Sequence, residues 1–490
     1  MNSIRLITRI DNHPITRKCA RLLLCLGLVA FTVALCLIIY DQFHPRYSII
    51  YESRLGLLID PGSSTEPATL YDPDPAHLWN RLHEALFVRT ASDGSRYGQD
   101  ELDPLLWPKS KYLLAGEHHK RVLGLLDEFL AKDGHKLIQD PLKRAMFQHD
   151  LWAVFDWLAD PTAPYQYRDD EYPPEARALQ ERLAKAIRRL ALSTEEIKQL
   201  PDNYAAAIAA KSFAGGHDPE KPEMAFLPAD LFNADGPWVL LGEHMAPAAP
   251  VHIHAAHGRS AFFVLMKQPA DRKSTLTYLD DLGAFPNALM PQPLHRNAKF
   301  LAKKLPRFNP ELPQFPVGTQ VALVRELLVI DKQGKIKPTR LIESVQFRVY
   351  CEIPKGEKGH PEGFDDLVGK QDFYEFRITR KDLFAGTAGG LHAVGPRDTD
   401  MLPFINPPAD DPFEENPPIR PGASRTLELC SGCHSSPGIH SVEAYCRDFI
   451  RMPQPAHLAE YDRSQQELAA LRRKWQDYSW GLLQGMMERD

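Results

Sequence analysis

QVALVRELLVI (320–330), DKQG (331–334) and RLIESVQFRVYCEI (340–353) read as one long hairpin: an arm, a tight turn and a returning arm. In an extended chain successive side chains point to opposite faces. Val345, Phe347, Val349, Cys351 and Ile353 then share one face, and Gln346, Arg348, Tyr350 and Glu352 share the other. The apolar face demands a core on one side of the sheet. The same alternation makes Cys351 a buried structural thiol rather than a nucleophile.

Outward from the hairpin, a period of two runs from about residue 236 to 400. Short apolar runs at 238–241 and 260–266 have strand composition, 373–379 alternates, and 275–279 is either a strand or the start of a helix. These runs predict an antiparallel sheet, folded as a sandwich or an open barrel. Upstream, residues 44–225 have helical spacing. Val122, Leu125, Leu126 and Phe129 lie on one face, as do Leu142, Met146 and Phe147, and then Leu179, Leu183, Ile187 and Leu190. LWAVFDWLAD (151–160) is apolar almost all round, which predicts a helix buried between others. Ser193 followed by Glu196 has the form of a capping box.

The chain has 490 residues, 43% of them hydrophobic and 25% charged, with a net charge of −6. That size predicts more than one structural unit. No basic tract interleaved with aromatics appears, so nucleic acid is not an expected partner. The stretch LLLCLGLVAFTVALCLIIY (22–40) carries no charge and follows Arg5, Arg9, Arg17, Lys18 and Arg21. Its length predicts a transmembrane helix, and the flanking charge predicts a cytoplasmic N-terminus with the main body in the periplasm.

Near the other end, residues 430–434 are Cys-Ser-Gly-Cys-His. Two thiols three residues apart, followed at once by histidine, have the spacing of a c-type haem attachment site. One turn of backbone presents both sulfurs to one edge of a porphyrin, and the next residue projects an imidazole beneath the iron. Three other uses of these residues compete. They are a plain disulfide, a redox dithiol (which usually opens the helix of a βαβ unit) and a structural zinc site completed by Cys446.

The segment LELCSGCHSSPG (427–438) resembles the c-type cytochromes; the rest of the chain resembles no family of known function. The resemblance implies one covalent haem c bonded to Cys430 and Cys433, with His434 as the proximal iron ligand and a role in electron transfer. It leaves the sixth ligand open. Met452, in a loop-like Arg-Met-Pro-Gln-Pro, is the first choice and His440 the second. His252, His254 and His257 in VHIHAAHGRS read first as surface histidines in a loop; with His252 and His254 on one face of a strand, they could instead ligate the haem or a separate metal.

The expected fold class is α+β. A cytoplasmic stub and transmembrane anchor (1–43) precede a helical domain (44–235) and an antiparallel β-rich domain (236–401). A Pro-rich linker (402–424) then leads to a small, mainly helical haem-binding unit (425–490), whose terminal helix presents Leu468, Leu471, Trp475, Tyr478, Leu482 and Met486 on one face. The expected function is that of an inner-membrane c-type cytochrome passing electrons to a protein redox partner. A haem enzyme or small-ligand sensor with an open iron, and a non-redox envelope protein, are the alternatives.

Overall fold

The computed structural model describes residues 69–90, 96–100, 106, 110–160, 174–242, 249–283, 289–290, 307–308, 313–353, 370–395, 398–400, 413, 424–427, 430, 434, 438–442 and 462–488. All belong to one compact unit, residues 58–490. Cys433 and Met452 fall outside the described residues, as does nearly all of the expected linker. His440 has a described backbone only.

The hairpin forms as its alternation requires. Strands β1 (Val239–Leu240), β2 (Ser260–Lys267), β3 (Gln320–Ile330), β4 (Ile336–Glu352), β5 (Lys370–Ile378) and β6 (Leu391–Ala393) make one six-stranded sheet. Each strand pairs antiparallel with the next in sequence, so the sheet is a simple meander. At the β3–β4 turn the Asp331 carboxylate accepts the backbone N–H groups of Gln333 and Lys335, at 2.9 and 2.8 Å. Gly334 takes the positive φ of 72° that the turn needs.

Helices cover one face of this sheet, and the other sheets among the described residues have only two short strands each. These helices are α1 (Leu78–Phe87), α2 (Gly116–Ala131), α3 (Pro141–Ala159), α4 (Pro174–Leu190), the one-turn α5 (Thr194–Lys198) and α6 (Asn203–Ala210). The sandwich or barrel expectation is thus corrected to a sheet with a helical layer. Phe263, Val324, Val345, Phe347 and Phe376 from the sheet share one core with Trp79, Phe147, Trp152 and Leu183 from the helices. Each such side chain contributes roughly 1.5–3 kcal/mol on burial. Two side-chain amides join the layers. Gln148 of α3 exchanges both hydrogen bonds with the backbone of Ile330, and Asn203 of α6 does the same with Ile342 beside the β-bulges of the β3–β4 pair. Their amides take the place of a neighbouring strand.

Further helices are α7 (Pro250–Ala255), α8 (Arg272–Gly283), α9 (Arg380–Ala385), α10 (Arg463–Trp475) and α11 (Tyr478–Met487). Helix α8 resolves the ambiguity at 275–279 in favour of a helix. Its Tyr278, Leu279 and Leu282 pack with Val264, Met266, Val321 and Tyr350 on the second face of the sheet.

Two expectations about the chain ends are corrected. The expected fold class began with a membrane-spanning helix, but among the described residues no helix is long and apolar enough to cross a membrane. Residues 22–40 lie outside the described residues. Helix α3, apolar as LWAVFDWLAD predicted, also carries Lys143, Arg144, Asp150 and Asp156, and it is buried in the main core. At the C-terminus the single helix becomes two, because the Asp477 carboxylate caps a new one at Ser479. The break resets the helical phase. Leu468, Trp475 and Tyr478 are exposed, while Ala470, Lys474, Trp480, Leu483 and Met487 are buried, along with Met486 of the expected face.

Candidate functional site

On the second face of the sheet, alternation lifts Arg348 and Tyr350 from β4 and Gln371, Phe373 and Glu375 from β5. The segment after the Cys-x-x-Cys-His run comes down onto this face. Its short turn, Gly438–Ser441, is anchored by Ile439, which is fully buried beside Tyr350 and Phe315. Gln314 accepts the backbone N–H of Ile439 at 2.8 Å. Gly438 has φ +55°, a conformation glycine adopts without strain, and a Cβ there would push the Gln314 side chain aside.

The turn orients His434. Its Nδ1 lies 2.8 Å from the carbonyl oxygen of Ser441 and 3.2 Å from Arg348 Nη1. A carbonyl only accepts and a guanidinium only donates, so a single Nδ1 satisfies one of them. The shorter bond decides: Nδ1–H donates to Ser441, and Arg348 is itself satisfied by the Ser441 carbonyl and hydroxyl, both at 3.1 Å. Tyr350 fixes that hydroxyl at 2.6 Å, and Gln371 Nε2 donates to the His434 carbonyl at 2.9 Å. The lone pair is therefore on Nε2, which has no hydrogen-bond partner among the described residues. A metal-binding histidine is usually held in this way, with its other ring nitrogen donating to a backbone carbonyl.

Near His434 is His252. The two rings are parallel to within 4°, with centroids 6.3 Å apart. The separation excludes full face-to-face overlap, which would put the ring centres about 3.5–4 Å apart. His252 comes from α7, a helix that starts with Pro250 at its first turn. The expected strand at VHIHA is thus corrected to a helix. His252 and His254 then lie on different faces: His252 is turned inward beside Phe262, and His254 is exposed. His257 lies elsewhere, 4.0 Å from Asp160.

Electrostatics favour neutral imidazoles. Burial, reinforced by the Arg348 charge, lowers the pKa of His434 to about 3 and that of His252 to about 4. Both rings therefore keep a free lone pair at neutral pH. The Cys430 thiol is half-buried, with Sγ 3.4 Å from a Glu375 carboxylate oxygen. Glu375 also pairs with Arg377.

The structure thus places Cys430 and His434 on one sheet face and brings His252 to them. It says nothing of the side chains of Cys433, Met452 or His440. Sequence reasoning missed Ser441, Tyr350, Gln371 and Glu375 as parts of the site. The signal for Tyr350 was present in the polar register of 346, 348, 350 and 352; Ser441 acts through its backbone carbonyl, which leaves no mark on the residue type.

Comparison with family models, with curated proteins and with solved structures finds no match for this chain. The chemistry of the site is accordingly read from its own geometry.

Proposed function

We propose that this chain binds one haem c through Cys430 and Cys433, with His434 and His252 as axial ligands, and that it transfers electrons. The reading is carried by the pair of parallel imidazoles 6.3 Å apart. An imidazole nitrogen lies about 1.1 Å from its ring centre and bonds a first-row metal at about 2.0 Å. Two rings sharing one ion in line are therefore about 6 Å apart, centre to centre.

Haem supplies one-electron chemistry, with a potential set by its ligands and burial. The protein's part is to hold both imidazoles in one tautomer. Ser441, Tyr350 and Gln371 fix His434, and the first turn of α7 presents His252. Two strong ligands suit electron transfer and disfavour an open iron site. His252 thereby displaces Met452 and His440 as the preferred sixth ligand. Thioether attachment in bacteria takes place outside the cytoplasm, so the proposal includes a periplasmic location for the main body and a protein redox partner there.

Expression with a c-type maturation system tests the attachment. One haem should stay bound in a denaturing gel, and both C430A and C433A should lose that covalent stain or reduce it severely. The reduced protein should ignore carbon monoxide, whereas H252A should bind it. Carbon monoxide binding by the unaltered protein would favour the ligand-binding alternative.

A further inference from the structure

The first face of the same strands carries a second group of metal-ligating atoms, away from the imidazole pair. A β-bulge between Tyr350 and Glu352 leaves Cys351 at the end of β4. Asp372, opposite Val349, projects from β5 onto the same face. The third member, His217, comes from the loop that follows α6. That loop is closed by a bridge between Ala214 and Phe226, with the Leu227 N–H donating to Ala214 at 2.8 Å. The His217 ring is held edge-on by Phe226 and Tyr374, and Tyr374 donates its hydroxyl to the Pro222 carbonyl at 2.8 Å.

The three side chains converge. Asp372 Oδ2 is 3.0 Å from His217 Nε2 and 2.9 Å from Cys351 Sγ, and one ligand atom from each lies within 4.8 Å of the others. Thiolate, imidazole and carboxylate are the three ligand types zinc takes. Bonds of about 2.0–2.3 Å place the ligand atoms of a tetrahedral ion roughly 3.3–3.6 Å apart, so the two close pairs need only open by several tenths of an ångström. The cluster is largely but not fully buried: the His217 and Asp372 side chains are 8% and 17% exposed.

We propose that His217 Nε2, Cys351 Sγ and Asp372 Oδ2 form a site for a zinc-class divalent cation, with water in the fourth position. Binding displaces the Cys351 thiol proton to solvent, and the sulfur becomes the anionic ligand. Three protein ligands with one open position are the arrangement of zinc sites that do chemistry, whereas purely structural sites use four. The site lies back to back with the imidazole pair. Asp372 faces it while its neighbour Gln371, on the other face of β5, holds the His434 carbonyl. The site needs no haem, and its test is independent of the haem reading.

The test uses the full-length, matured protein, stripped with a chelator and then dialysed against limiting Zn2+. The expected result is one zinc per chain, in addition to any iron, by elemental analysis. Cys351 should then alkylate with iodoacetamide at least tenfold more slowly than in the stripped protein, followed by peptide mass mapping. H217A, D372N and the near-isosteric C351S should each lose the zinc and leave the visible spectrum unchanged. Zinc that fails to remain bound, or zinc that remains while Cys351 alkylates as fast as before, overturns the proposal and leaves a hydrogen-bonded Cys-Asp-His trio. If no haem is found in the same preparation, the zinc result stands on its own.

Discussion

One nitrogen of His434 decides what the site can do. With Nδ1–H spent on the Ser441 carbonyl at 2.8 Å, Nε2 is the atom left to bond a metal. Arg348 is the fixed positive charge nearest to this arrangement, with Nη1 3.2 Å from Nδ1. A cation there disfavours the more positive, oxidised form of a bound iron. Removing it in R348Q should lower the midpoint potential by tens of millivolts, on the order of 1–2 kcal/mol, as read by spectroelectrochemical titration. At this scale Cys430 and His434 were legible, because the motif is local. His252 was legible only as one of three histidines. VHIHA alternates as a strand does, and a six-residue helix is too short for its period to show. Only Pro250, a residue suited to a first helical turn, signalled otherwise.

Capping shows how far an element can be read from sequence and where the reading fails. The Ser193–Glu196 box was legible and forms, with Glu196 Oε2 accepting the Ser193 N–H at 2.7 Å. Burial alone would raise the Glu196 pKa, but the Ser193 N–H and the Arg144 guanidinium at 2.7 Å overcome it and lower it to about 2. A carboxyl depressed in the folded state stabilises the fold above its unfolded value of 4.5, and that stability is lost as pH falls toward about 2. E196Q should therefore be less stable at neutral pH by about 1 kcal/mol, and its deficit should shrink as pH falls through that window. Urea unfolding of both proteins across the acid range measures it. The C-terminal helix was misread because one apolar face was extended through residue 477. Asp477 starts a new helix there, and Tyr478 is left 63% exposed.

Across the whole molecule, ties between distant parts of the chain are what sequence could not show. Asp156 of α3 accepts Lys474 of α10 at 2.8 Å and Arg259, just before β2, at 3.2 Å, all three buried. Lys474 also donates to the His257 carbonyl and the Ser479 hydroxyl, at 2.8 and 2.9 Å. No local pattern encodes partners this far apart, and they bind the C-terminal helices to the core that the sequence suggested they merely followed. Truncating Asp156 leaves the buried Arg259 without its carboxylate and Lys474 with only the more distant Asp477 at 3.6 Å, so D156A should cost about 3–5 kcal/mol in chemical denaturation. K136A, which removes only the surface pair with Asp133, should cost less than about 1 kcal/mol. The sheet itself was legible because each strand alternates over its own length, while the helical layer that covers it was not, since period reports which face is buried and not against what.

Electron paramagnetic resonance of the oxidised, matured protein tests the axial pair most directly. The account predicts a single low-spin haem signal with the rhombic form of near-parallel imidazole planes, converted to a high-spin signal in H252A. A high-spin signal from the unaltered protein, or a low-spin signal that H252A leaves unchanged, would contradict it.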